Sequence, residues 1–279
     1  MDVDVANWMS CCYLPDSTEL QEHTLKTDRP MVIGDRCQID YGLDAAEVLV
    51  CEFCTINGAI VSTGDVRIDN WCEIAGDVVA GQDAYIGEGV KIRGKLVVRG
   101  DLDIGDNVQI AKGFEAKGWI VIRNPIPVIF YVLLYLMTMF HLGKEGEVDD
   151  AMQELFGEEE DLPDPLRIPP GSVLNMHVFS TSEKMEIGSG CRLHGNIRAA
   201  SVQVRDDTVV FGSLRSNNAI EVGERTTIHG DVVSDGGVVV HRGAHILGNV
   251  SCQTLQMHEE ARIDGVIRAP DGLRIERSV

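Results

Sequence analysis

Eight cysteines and eight histidines are the side chains that could ligate a metal, act as nucleophiles or move protons. Cys37, Cys54 and Cys72 recur at one regular spacing, each two positions before an aliphatic residue, and Cys191 takes the same place later in the chain. That spacing stacks them as an inward-facing ladder, in which a free thiol packs as a small buried hydrophobe. Cys51 and Cys54 form one C-x-x-C, and a structural zinc site needs a second ligand pair. His241 and His258 hold equivalent positions in neighbouring repeats, whereas His194 and His229 are equivalent but two repeats apart. Each follows an aliphatic residue expected to be buried, so strand alternation turns it outward. No insertion beside them would wall a substrate pocket. No Gly-rich phosphate loop appears and no Ser-His-Asp order can be assigned, so no catalytic, cofactor-binding or metal residue is expected.

The elements that carry these residues are repeats. Ile39, Ile56, Ile74, Ile92 and Ile110 form one aliphatic column in the first half of the chain. In the second half Leu193, Val210, Ile228, Ile246 and Ile263 form another. A further column runs six positions ahead: Ile33, Val50, Ile68, Ile86 and Ile104, then Ile187, Val204, Val222, Val240, Met257 and Ile275. All share one period. Within a repeat the apolar residues alternate, which marks short strands with one buried face. The fold class expected is therefore an all-β solenoid of parallel, three-sided coils of about 18 residues, each burying its inner face against its neighbours. Gly58, Gly76, Gly94, Gly195, Gly212, Gly230, Gly248 and Gly265 recur where the chain must bend or the interior is crowded.

The step of six between columns invites comparison with the hexapeptide-repeat acyltransferases, and Ile86, Ile92, Val98, Ile104 and Ile110 fit that rule. Elsewhere the third position is small: Ala45, Ser62, Ala80, Ala199, Ser216, Ser234, Cys252 and Ala269. The run Ile228-His229-Gly230-Asp231-Val232-Val233-Ser234, followed by Val238-Val239-Val240 and Ala244-His245-Ile246, instead resembles the bactofilin family. The resemblance implies a right-handed β-helix that polymerises without nucleotide and serves as a cell-architecture scaffold. Two other readings stay open: a trimeric acyltransferase-like enzyme with His229 or His194 as base, and a non-polymerising adaptor.

The formal charge of −20 argues against a nucleic-acid partner, whose backbone is bound by neutralising phosphates with Lys and Arg. Residues 1 to 12 lack a secretory pattern, so an intracellular protein with reduced thiols is expected. Localisation is expected in the cytoplasm, peripheral at the inner face of the cell membrane.

The periodicity divides the chain into an irregular arm or cap (1–30), one solenoid block (31–113), an insert (114–171) and a second block (172–279). Between Pro125 and Leu142 the insert has no Asp, Glu, Lys or Arg, and a helix is expected there. Trp119, Val128, Ile129, Phe130, Val132, Leu133, Leu134, Leu136, Met137 and Phe140 are the expected contacts with membrane lipid, a membrane protein or another partner. An acidic amphipathic helix is expected over about 146–157, with Val148, Met152, Leu155 and Phe156 on one face. The final coil lacks a cap, so Leu273 and Ile275 are the expected self-association edge of a head-to-tail or end-to-end homopolymer.

Overall fold

Short strands alternate buried and outward side chains throughout the described residues, as in Val48–Val50, Val66–Ile68 and Val78–Ala80. The computed structural model describes residues 9–21, 23–122 and 164–277. Those residues form a three-sided β-solenoid with no helix; the two helices expected within the insert lie outside the described residues. Three sheets of 14, 12 and 12 strands make its sides, here numbered 1, 2 and 3 in that order. Parallel pairing puts Ile33, Val50, Ile68, Ile86 and Ile104 in one inner column of sheet 1. Ile39, Ile56, Ile74, Ile92 and Ile110 make a column of sheet 2. Most of these side chains are fully buried, and each burial of this kind contributes about 1.5–3 kcal/mol.

The two expected blocks are a single stack, and the first described strand, Cys11–Leu14, lies in its middle. From Met31–Ile33 a first arm climbs away from the centre in the order sheet 1, sheet 2, sheet 3, ending at Ile120–Ile122. From Lys184–Ile187 a second arm runs the opposite way in the order sheet 1, sheet 3, sheet 2, ending at Gly272–Glu276. Strands are parallel within each arm and antiparallel where the arms meet: Tyr13 with Arg167, Leu20 with Leu25, and Leu174 with Phe179.

The strands run past the boundaries that periodicity suggests. Phe114–Ala116, Ile120–Ile122 and Leu166–Ile168, expected in the insert, belong to the sheets. So do Cys11–Leu14, Glu19–Leu20 and Thr24–Lys26, expected in an irregular arm. The reason is that each central turn is assembled from two distant pieces of chain. Residues 166–174 are completed by Thr24–Lys26, and residues 11–20 by Val178–Ser180, so neither piece shows a full repeat.

One offset in numbering relates the arms over all but their outermost coils. It carries the left-handed residues Ser17, Arg36, Phe53, Trp71 and Gly89 onto Gly171, Gly190, Asp207, Arg225 and Gly243, all with φ between 51° and 71°. Tyr13 pairs with its own equivalent, Arg167, whose guanidinium lies 5.2 Å from the Tyr13 ring centroid. A pseudo-twofold axis therefore crosses sheet 1 at that pair and exchanges sheets 2 and 3.

Candidate functional site

The thiol ladder is an interior hydrogen-bonding column. Cys37, Cys54 and Cys72 are buried, and their S–H groups donate to the carbonyls of Pro169 (3.1 Å), Gly34 (3.0 Å) and Cys51 (3.0 Å). In the second arm Cys191 donates to Pro15 at 3.2 Å, and the next two places are threonines, with Thr208 donating to Gly188 at 2.9 Å and Thr226 to Arg205 at 2.8 Å. Thiol and hydroxyl thus do one job, satisfying the carbonyl at a bend of the preceding coil. Contact with Cys54, together with burial, raises the thiol pKa of both Cys37 and Cys72. Burial pushes Cys191 up to about 11, and burial with Asp35 and Asp69 does the same for Cys51. Cys54 is buried whereas Cys51 is only half-buried at the surface. Among the described residues no group of three or more His, Cys, Asp or Glu is placed to hold a metal ion.

The histidines do not share a site. His194 and His229 stack on the two sides of Phe211, with centroids 4.5 and 4.6 Å apart, and Arg192 lies 5.1 Å from the same ring. His241 contacts Glu221 at 2.9 Å, while His258 Nδ1 accepts the Glu260 amide at 3.1 Å. His245 and Arg262 both bond Asp264 and hold its carboxyl below the usual range. Phe211 gives no signal in the sequence, because an outward strand residue reads as surface until its neighbours in adjacent coils are known.

The glycines mark where coils touch. A Cβ on Gly76 would lie 2.5 Å from the Gly58 carbonyl oxygen and the Ala59 nitrogen; one on Gly230 would lie 2.6 Å from the Gly212 oxygen. Gly58, Gly94, Gly212, Gly248 and Gly265 meet the preceding coil's backbone more closely still. Gly195 differs, needing its φ of 113° rather than the space.

What remains chemically active is the pair of ends. Along each arm, side-chain oxygens cap amides of the next coil: Asp65 to Asp83 (2.9 Å), Asp83 to Asp101 (2.7 Å) and Asp101 to Trp119 (2.7 Å) in the first. In the second, Asp231 caps Asn249 (2.7 Å) and Asn249 caps Val266 (2.9 Å). Both ladders stop at an apolar residue in the outermost coil, Trp119 at 81% exposure and Val266 at 60%. Phe114, Ile120 and Val121 are exposed beside Trp119; Ile267, Leu273 (50%) and Ile275 (56%) are exposed beside Val266. Among the described residues, Ile120–Ile122 and Gly272–Glu276 each have one strand neighbour. Of the expected membrane or partner contacts only Trp119 is described; Val128, Ile129, Phe130, Val132, Leu133, Leu134, Leu136, Met137 and Phe140 lie outside the described residues. No helix among the described residues is long and apolar enough to cross a membrane.

A stack of coils whose outermost sheet 1 strands each have one neighbour among the described residues belongs to the class of β-solenoids built from stacked repeats. Residues 178–268, about a third of the chain, match the bactofilin family, described as polymer-forming cytoskeletal. The matched segment lies in the second arm, from the junction strand Val178–Ser180 to the outer strand Ile267–Arg268. No curated protein and no solved structure matches the chain.

Proposed function

We propose that this protein is a self-assembling cytoskeletal scaffold of the cytoplasm whose solenoids join end to end. The observation that carries the reading is the apolar surface on both outermost coils: Trp119 and Val266 stand where the preceding coils place Asp or Asn, and Ile120, Ile267, Leu273 and Ile275 continue aliphatic columns yet are exposed. A strand edge left to water is normally shielded by charge, proline or a covering element. The polymer-forming description of the matched family supports the same reading.

The reversal at the centre constrains the polymer. Both arms run outward, so both ends present an edge of the same strand sense. A head-to-tail joint with parallel strands is therefore excluded by this reading, and every joint pairs strands antiparallel. The centre of the molecule, with Leu20 against Leu25 and Leu174 against Phe179, is an internal precedent for such a joint.

The test replaces Leu273 and Ile275 together by Glu in the full chain. Leu273 and Ile275 continue the columns of Leu255 and Met257 but are about half exposed in the last coil, and circular dichroism checks that the stack keeps its fold. The pelletable fraction in high-speed sedimentation is expected to fall at least tenfold. Pelleting equal to that of the parent protein would overturn the reading.

A further inference from the structure

The last described strand before residues 123–163, Ile120–Ile122, is at the outer end of sheet 1, and the first after them, Leu166–Ile168, is at the inner end of the first arm's part of the same sheet. Five strands of sheet 1 separate these two points, so the way back is six strand spacings, about 29 Å. It exits at the corner of sheet 1 nearest sheet 2 and re-enters at the corner nearest sheet 3. The direct route between them crosses the outer face of sheet 1 in the first arm.

That face differs from its counterpart. Its outward residues are Val32, Leu49, Arg67, Tyr85, Asp103 and Val121, with the Arg67 guanidinium 5.0 Å from the Tyr85 ring centroid. At the equivalent places the second arm has Glu186 for Val32, Gln203 for Leu49, Glu221 for Arg67 and Val239 for Tyr85. The inner columns stay aliphatic in both arms: Ile33 with Ile187, Val50 with Val204, Ile68 with Val222. One strand geometry is therefore built twice, once with a mostly polar outer face and once with an apolar one interrupted by Arg67 and Asp103. The fold itself does not require the apolar face. The passage falls to residues 123 to 163, which contain the uncharged stretch Pro125 to Leu142.

We infer that residues 125–142 dock on the outer face of sheet 1 in the first arm, over Val32, Leu49 and Tyr85. The apolar tract is then matched to a surface of its own molecule, which leaves the open ends for assembly. Burying apolar area on both partners drives the contact.

The experiment uses the full chain at a concentration below assembly. Val32→Glu and Leu49→Gln together give the first arm what the second already carries, so the coil geometry accepts both. Val61→Arg, on the outer face of sheet 3, copies Arg215 and serves as control. Trypsin cleavage after Arg123 and Lys144 is followed by mass spectrometry, with thermal melting as the check on folding. Cleavage is expected to be at least tenfold faster in the double variant, with the control matching the parent. Equal rates in double variant and parent overturn the inference, as does faster cleavage in the control alone. Independently of any variant, hydrogen exchange on the parent should show residues 125–142 at least tenfold slower than the free-peptide rate without lipid. Exchange at the free rate, or protection gained only on phosphatidylglycerol vesicles, would make a membrane the occupant and overturn the proposal.

Discussion

Gly76→Ala should damage the solenoid far more than Gly171→Ser, although both remove a glycine from a bend. At Gly76 the new methyl would meet three backbone atoms of the preceding coil: Gly58 O and Ala59 N at 2.5 Å, and Ala59 Cα at 2.6 Å. Relieving the contact means parting two coils at a corner held by Gly76 N to Gly58 O (3.1 Å), Ala75 N to Ile56 O (2.8 Å) and Ile60 N to Asp77 O (2.9 Å). Overpacking of this kind costs about 1–3 kcal/mol, and each strained ladder bond adds up to about 1 kcal/mol. A total of about 3 kcal/mol is therefore expected. At Gly171 nothing lies within 4 Å of the added Cβ, and the only cost is the left-handed backbone, φ 71°, about 1 kcal/mol. Its equivalent, Ser17, holds φ 61° already. Urea titration by far-ultraviolet circular dichroism gives both values, and because neighbouring coils carry the stability, exchange should rise mainly near residues 56–78 in Gly76→Ala. Equal losses in the two variants would refute the close-approach argument.

Ile74→Ala, which empties a place in the sheet 2 column, should cost about 2–5 kcal/mol in the same titration. Cys54→Thr should change the midpoint little, since Thr208 fills the equivalent place and donates to a bend carbonyl. Alkylation of the native protein at pH 8 should leave Cys37, Cys54 and Cys72 unmodified. Labelling of Cys51 should rise only as pH approaches its raised value of about 11. Asp264, whose carboxyl is depressed by His245 and Arg262, stabilises the outer turn above the ordinary Asp value of about 4. That contribution is lost as pH falls through the lower folded value, and exchange at residues 262–265 should then accelerate.

The coil itself was legible because each aliphatic column keeps one period whichever way the chain climbs. That same indifference hid the reversal: Ile39 to Ile110 and Leu193 to Ile263 read alike, yet they lie in sheets 2 and 3. The central turns were illegible because Cys11–Leu20 and Leu166–Leu174 are each part of a coil finished by a segment far along the chain. A signal was present in the pairs Pro15 and Pro169, Cys37 and Cys191, and Gly58 and Gly212, all at the offset that relates the arms. At the candidate site Leu273 and Ile275 could be named from sequence, whereas Phe114, Val266 and Ile267 could not. Their exposure depends on which coil is outermost, and the first arm runs two strands, Phe114–Ala116 and Ile120–Ile122, past the end its periodicity suggests.

The central claim, end-to-end joining of a two-armed solenoid, is tested most directly by electron cryo-microscopy of assembled full-length protein. Fourteen strands in sheet 1 at about 4.8 Å each give about 67 Å of filament per molecule. The account predicts filaments one solenoid wide with that spacing and strands antiparallel across every joint. Discrete particles at all concentrations, or filaments whose joints pair strands in parallel, would contradict it.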